Sequence, residues 1–181
     1  SNRPDWLCHM GVAHEIAAIT GGRVSAPDIR IPEKGGTRVS ELTSVTVECP
    51  DLCPRYTARV ITGVKIGPSP LWMQERLKTL GLAPRNNVVD ITNYILFEMN
   101  QPLHAFDFDL LKGRRIIVRR AKDGEAFTSV FGEKRTLTSE MCVIADEGRA
   151  VALAGVKGGL DTGIHDGTAN ILIESAYFPQ A

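Results

Sequence analysis

No charge of either sign dominates this sequence. Lysine plus arginine number 21, aspartate plus glutamate also 21, and the formal net charge is zero. Gripping a long nucleic-acid backbone unaided takes clustered cations, so the balance argues against autonomous nucleic-acid binding. The short runs "GRRIIVRRAK" and "KTLGLAPR" are the best basic candidates and suit contact with one end of a nucleic acid held elsewhere. No apolar run is long enough to span a membrane, and no signal-peptide pattern opens the chain. The four cysteines are scattered, and "CPDLC" is C-x3-C without a second pair or a nearby histidine. A structural zinc site takes four ligands, so no metal is expected. Free, partly buried thiols in a reducing, cytoplasmic compartment are the better reading. There is also no P-loop, no nucleophile elbow and no metal-ligand set.

What is present is an ordinary globular composition, 43% hydrophobic and 23% charged over 181 residues, enough for one sizeable core. The chain opens "SNRPDW" without Met and stops at "AYFPQA" after a strand-like run, which reads as a piece of something longer. "RPDWLCHMGVAHEIAAITGG" spaces Trp6, Met10, Ala13 and Ala17 as a helix, with Pro4 in its first turn and Gly21 and Gly22 at its end. "SAPDIRIPEKGGTR" is a linker or arm. "TSVTVEC" and "RYTARVITGVKIG" are strands. "PSPLWMQERLKTLGL" is a helix with Ser69 as N-cap, Pro70 at the first position and Gly81 past the end. "VVDITNYILFEMN" is a second helix with Asp90 as N-cap. "RRIIVRR", "CVIAD", "AVALAGV" and "ANILIESAYF" make the rest β-rich. Segregated helices and strands predict an α+β fold, with mixed or antiparallel sheet layers and a few packed helices.

Four places could carry chemistry. His104 follows Gln101 and Pro102, which end the preceding helix, so "HAFD" is predicted as a loop or turn that aims an imidazole into a cleft. A histidine that only bonds a backbone group is the competing reading. Asn93 interrupts an apolar helix pattern, either toward solvent or as a polar contact in a pocket. Glu174 stands in the apolar strand "NILIESAYF", either facing solvent on an edge or buried, where it needs a donor from the protein or a ligand. "AGVKGGLDTGI" is not G-x-G-x-x-G and opens no evident helix. Its glycines let backbone approach a ligand or make a bulge.

The segments "NRPDWL", "CPRYTARVI", "PSPLWMQERLKTLGL", "NNVVDITNYILFEMNQPLHAFD", "VALAGVKGG" and "ANILIESAYF" resemble, in that order, the beta subunit of bacterial-type phenylalanyl-tRNA synthetase. "VVDITNY" followed by "QPLHAFD" is the most specific pair. The resemblance implies a single editing-type domain over residues 1–181, with an N-terminal helix and linker arm over 1–40 and an α+β body over 41–181. It implies a whole enzyme of two alpha and two beta subunits that charges tRNA(Phe) using ATP and magnesium. The aminoacylation site then lies in the alpha subunit, and no cofactor is needed here. The domain is similar to the one that hydrolyses misacylated tyrosyl-tRNA(Phe), with the tRNA 3′ end and tyrosine as its ligands. A phenylalanine pocket discriminates poorly against an added hydroxyl, so a second pocket that bonds the hydroxyl is the physical remedy.

By the same resemblance His104, Asn93 and Thr92 are the catalytic-site candidates, Glu174 accepts the tyrosine phenol, and Gly155 and Gly158 leave room for substrate. Two departures stand out. The family usually has Leu-Asp-Gly where this chain has Val130-Phe131-Gly132. The family also continues past the position of Ala181 into a segment that walls the pocket, so the isolated piece is expected to have an open pocket and weak activity. The alternative reading is a non-catalytic scaffold or RNA-contact module of the same subunit.

Overall fold

The computed structural model describes residues 2–31 and 36–179. In chain order the helices are α1 His9–Thr20, α2 Val39–Leu42, α3 Leu71–Thr79 and α4 Asn87–Met99. The strands are β1 Ser44–Val47, β2 Arg55–Thr62, β3 His104–Asp107, β4 Arg115–Arg120 and β5 Ala126–Thr128. They continue with β6 Lys134–Thr136, β7 Cys142–Ala145, β8 Ala150–Leu153, β9 Lys157–Gly158 and β10 Asn170–Tyr177. This is the α+β class expected. The chain divides into two compact units, Ser1–Gly36 with Pro68–Leu103, and Thr37–Gly67 with His104–Ala181. The linker arm of residues 25–38 lies partly outside the described residues.

The first unit is helical. A short 3-10 turn over Pro4–Leu7 precedes α1, whose N-cap is Cys8 and whose C-cap is Gly21 at φ +71°, a left-handed conformation that glycine adopts without strain. α4 packs on both α1 and α3. Two helix starts differ from the prediction. α4 begins at Asn87, and Asn86 caps it by accepting from the Val89 N–H at 2.9 Å. Both Asn86 and Asp90 are good capping residues, and Asp90 is used differently: it is 1% exposed, accepts the Arg85 N–H at 2.8 Å, and accepts the Ser69 hydroxyl. Ser69 is therefore spent on Asp90, and Pro70 takes the N-cap position of α3. α4 ends at Asn100, whose φ of +59° turns the chain toward Pro102.

The second unit is built from sheets. One has the order β1-β4-β7-β8-β9, parallel between β1 and β4 and antiparallel elsewhere. A second is antiparallel with the order β2-β10-β3, and β5 and β6 form a hairpin. Side chains alternate across a strand, and the burial follows. Ile116 and Val118 of β4 and Ile144 of β7 join Phe106 and Leu172 of the three-stranded sheet in one core. Val143 and Ala145 point the other way, into a smaller core with Phe127 of the hairpin and Leu137. Arg119 fastens that hairpin through a paired ion bridge to Glu125, at 2.9 and 2.7 Å. Arg119 holds the Glu125 carboxyl down to about 2.

Candidate functional site

Strand β10 runs down the middle of the three-stranded sheet and sets the site's geometry. Glu174 pairs with His104 on one side and Ala58 on the other, and Leu172 pairs with Phe106 and Val60. Directly opposed residues share a face, so His104, Phe106, Leu172, Glu174, Tyr56 and Ala58 lie on one side, that of the larger core. "HAFD" is thus a strand, contrary to the predicted loop. Pro102 ends α4, but the four residues after Leu103 find a ladder in β10, a partner remote in sequence.

Along this face burial decreases toward one end. Phe106 and Leu172 are fully buried, Glu174 is 8% exposed, and His104 is half-buried. The His104 ring meets Phe106 edge-on with centroids 4.4 Å apart. Burial pulls the imidazole down to about 4, so it is neutral at physiological pH. No other described residue hydrogen-bonds its ring nitrogens. The backbone of Gly158 lies against the ring: a Cβ there would stand 2.4 Å from Cε1 and 2.9 Å from Nε2. Only glycine admits the imidazole in this position.

Glu174 sits on a central strand, not an edge, and its donor is a side chain. The Tyr56 hydroxyl donates to Oε2 at 2.7 Å. Burial pushes the carboxyl up to about 7, and the phenol bond pulls it partly back. The Tyr56 phenol is driven well above its ordinary value, first by burial and then by the neighbouring carboxylate. Near neutral pH Glu174 is thus divided between carboxylate and acid. The donor that a buried Glu174 needs comes from the protein itself, from Tyr56, 118 residues away in sequence. In "RYTARVIT" every second residue from Tyr56 to Val60 turns inward, which sets the phenol on this face but does not single it out.

Gly155 has φ +66° and lies against Phe178, whose Cδ2 would be 3.0 Å from an added Cβ. Thr92 and Asn93 are on α4, in the helical unit. Thr92 is buried and its hydroxyl donates to the Val89 carbonyl at 2.8 Å, a bond within its own helix. Asn93 is half-buried. The helical unit also has a cavity of about 320 Å³ lined by His9, Arg76, Tyr94 and Phe97 among others. Among the described residues no helix is long and apolar enough to cross a membrane.

Residues 52–181 match the B3/4 domain. The chain belongs to the B3/4 domain family. This B3/4 chain is 55% identical over 180 residues to the phenylalanine–tRNA ligase beta subunit of Moorella thermoacetica, covering 99% of the chain and 22% of that protein. It is 54% identical over 169 residues to the beta subunit from Symbiobacterium thermophilum, covering 93% of the chain and 19% of that protein. The chain spans about a fifth of the length of these curated relatives. An N-terminal fragment of the phenylalanyl-tRNA synthetase beta subunit from Pyrococcus horikoshii shares the fold, with a TM-score of 0.56 and 18% identity over 97% of this chain and 52% of that one. The resemblance read from the motifs is borne out.

Proposed function

We propose that this B3/4 domain hydrolyses the ester of tyrosyl-tRNA(Phe), within a beta subunit whose complete enzyme joins phenylalanine to tRNA. The observation that carries the reading is the pair His104 and Glu174, directly opposed on adjacent strands at the open end of a buried face. Tyr56 occupies one oxygen of Glu174, and Oε1 is available to accept a substrate phenol. A charge-assisted bond of this kind distinguishes tyrosine from phenylalanine, which has no donor to offer. The neutral His104 offers a lone pair to hold a water beside the ester carbonyl. With its basicity lowered by burial it serves to position that water more than to store its proton. Attack of the water cleaves the bond from the carbonyl carbon to the ribose oxygen, which leaves with a proton as the hydroxyl of the tRNA 3′ end.

On this reading the partners are tRNA(Phe) and an alpha subunit in a two-alpha, two-beta assembly. ATP and magnesium serve the aminoacylation site on the alpha subunit, and no step here runs through them. Thr92 and Asn93, on α4, stay candidates on the family resemblance alone. The scaffold reading draws support from the exposed apolar residues of the helical unit, Leu7, Ile16, Ile19 and Trp72. One experiment separates the two. In the assembled ligase, His104→Ala slows tyrosyl-tRNA hydrolysis while phenylalanine charging stays near wild type if the domain edits. Unchanged hydrolysis assigns the domain to the scaffold role.

A further inference from the structure

The "CPDLC" turn plays no part in ester hydrolysis, yet it brings one thiol against another. Cys49 Sγ lies 3.7 Å from Cys142 Sγ, although the two are 93 residues apart. Both sit on fixed backbone. The Glu48 N–H bonds to the Val118 carbonyl and extends the β1–β4 ladder to the residue before Cys49. The Cys49 carbonyl then accepts the N–H groups of Leu52 and Cys53. Cys142 opens β7 and pairs with Arg120 of β4. Arg120 in turn bonds Asp51, inside the turn. A cation thus stands beside the sulfur pair and is anchored to both segments.

We propose that Cys49 and Cys142 are a thiol modification site, closed into an intramolecular disulfide by a low-molecular-weight disulfide of the glutathione type. Access decides the order of events. Cys49 is buried and Cys142 is only partly so. The Cys142 thiolate attacks one sulfur of the small disulfide, forms a mixed disulfide and releases one small thiol. The Cys49 thiol, losing its proton to solvent, then attacks the Cys142 sulfur and expels the second small thiol. Two protein thiols are oxidised and one small disulfide is reduced to two thiols. Arg120 favours the Cys142 thiolate and attracts the carboxylates of a glutathione-type reagent. Cys53 is the third thiol nearby, but its Sγ faces the Arg55 carbonyl at 3.4 Å and it is fully buried. Among the described residues, no group of three histidines, cysteines or acids is arranged to hold a metal ion. The product fastens the turn that leads into β2, the strand of Tyr56, to the five-stranded sheet.

Burial lifts the Cys142 thiol to about 12, so its thiolate is scarce at neutral pH and the reaction is slow but steeply pH-dependent. The test uses the purified protein with oxidised glutathione at about pH 7.5 and 8.5, followed by non-reducing peptide mapping. The expected result is a Cys49–Cys142 linkage that forms about tenfold faster per pH unit. It raises Tm by roughly 10 °C over the reduced protein, because the closed loop is long. Cys49→Ser and Cys49→Ala should each stop at the glutathione adduct on Cys142. The proposal is overturned if no linkage forms, if Cys53 replaces either partner in the product, or if the linked protein melts at a lower temperature than the reduced one.

Discussion

Tyr56 and Glu174, on neighbouring strands, share a proton-mediated contact of 2.7 Å in a place where water is nearly excluded. The bond lets a buried carboxylate remain partly ionised near neutrality, the state that can accept a phenol. Burial and bonding pull in opposite directions, and burial is the larger influence.

That balance makes stability depend on pH with a definite sign. Glu174 has a folded-state pKa of about 7 against an ordinary 4.5. Its contribution is fully present below about pH 4.5 and is lost as pH rises through about 7. The whole loss amounts to roughly 3 kcal/mol. Urea unfolding of wild type and Glu174→Gln at about pH 5 and pH 8 should show the wild type losing about 2.5 kcal/mol of it relative to the mutant. Parallel profiles would mean that Glu174 is not desolvated in the folded protein.

His104 has the opposite slope. Its folded pKa of about 4 lies below the ordinary 6.5, so its contribution is complete above about pH 6.5 and is lost as pH falls through about 4. A histidine NMR titration should find the His104 ring neutral at about pH 5.5. A midpoint near 6.5 would place the ring in solvent and remove the basis for its role.

Gly158→Ala should displace the imidazole, since the new Cβ would stand 2.4 Å from His104 Cε1. The expected outcome in the assembled ligase is at least a tenfold fall in tyrosyl-tRNA hydrolysis, by about 1.4 kcal/mol or more of lost positioning. Phenylalanine charging should change little. Wild-type hydrolysis would show that the ring need not sit where the strand places it.

In the helical unit, Asp90→Ala should cost about 2–4 kcal/mol, measured by denaturant unfolding, because it strands the Arg85 N–H and the Ser69 hydroxyl in a buried site. A cost under about 0.5 kcal/mol, the level of an ordinary surface change, would contradict that arrangement.

Local patterns made most of the elements legible. Strand-like runs marked β2 and β10, and the glycines and prolines near α1 and α3 marked helix ends to within a few residues. Where two residues could do one job, pattern gave no ranking: Asn86 and Asp90 both cap well, and only the distant Ser69 shows why Asp90 is needed inside. "HAFD" reads as a loop in the sequence because a four-residue strand is defined by its partner, and β10 lies more than sixty residues on. Glu174 and His104 were legible as chemically odd residues. Tyr56 was not, because a phenol in an alternating strand looks like any half-buried aromatic until the sheet register places it beside Glu174.

Tyr56→Phe should raise the Glu174 pKa further, since the lost bond is the one that lowers it. Preference for tyrosine should weaken at about pH 7 and recover as pH rises toward about 8.5, when the carboxylate is restored. A preference unaffected by pH in this variant would show that the ionised form is not what recognises the phenol.

On the proposed function, Glu174 is the group that tells tyrosine from phenylalanine. The direct measurement is the hydrolysis of tyrosyl-tRNA by the assembled ligase, with binding of free tyrosine and phenylalanine alongside, in wild type and Glu174→Ala. Loss of a charge-assisted bond predicts that tyrosine recognition falls by about tenfold to a hundredfold, with phenylalanine binding unchanged. A mutant that keeps the wild-type preference for tyrosine would contradict the account and leave Glu174 as a structural partner of Tyr56.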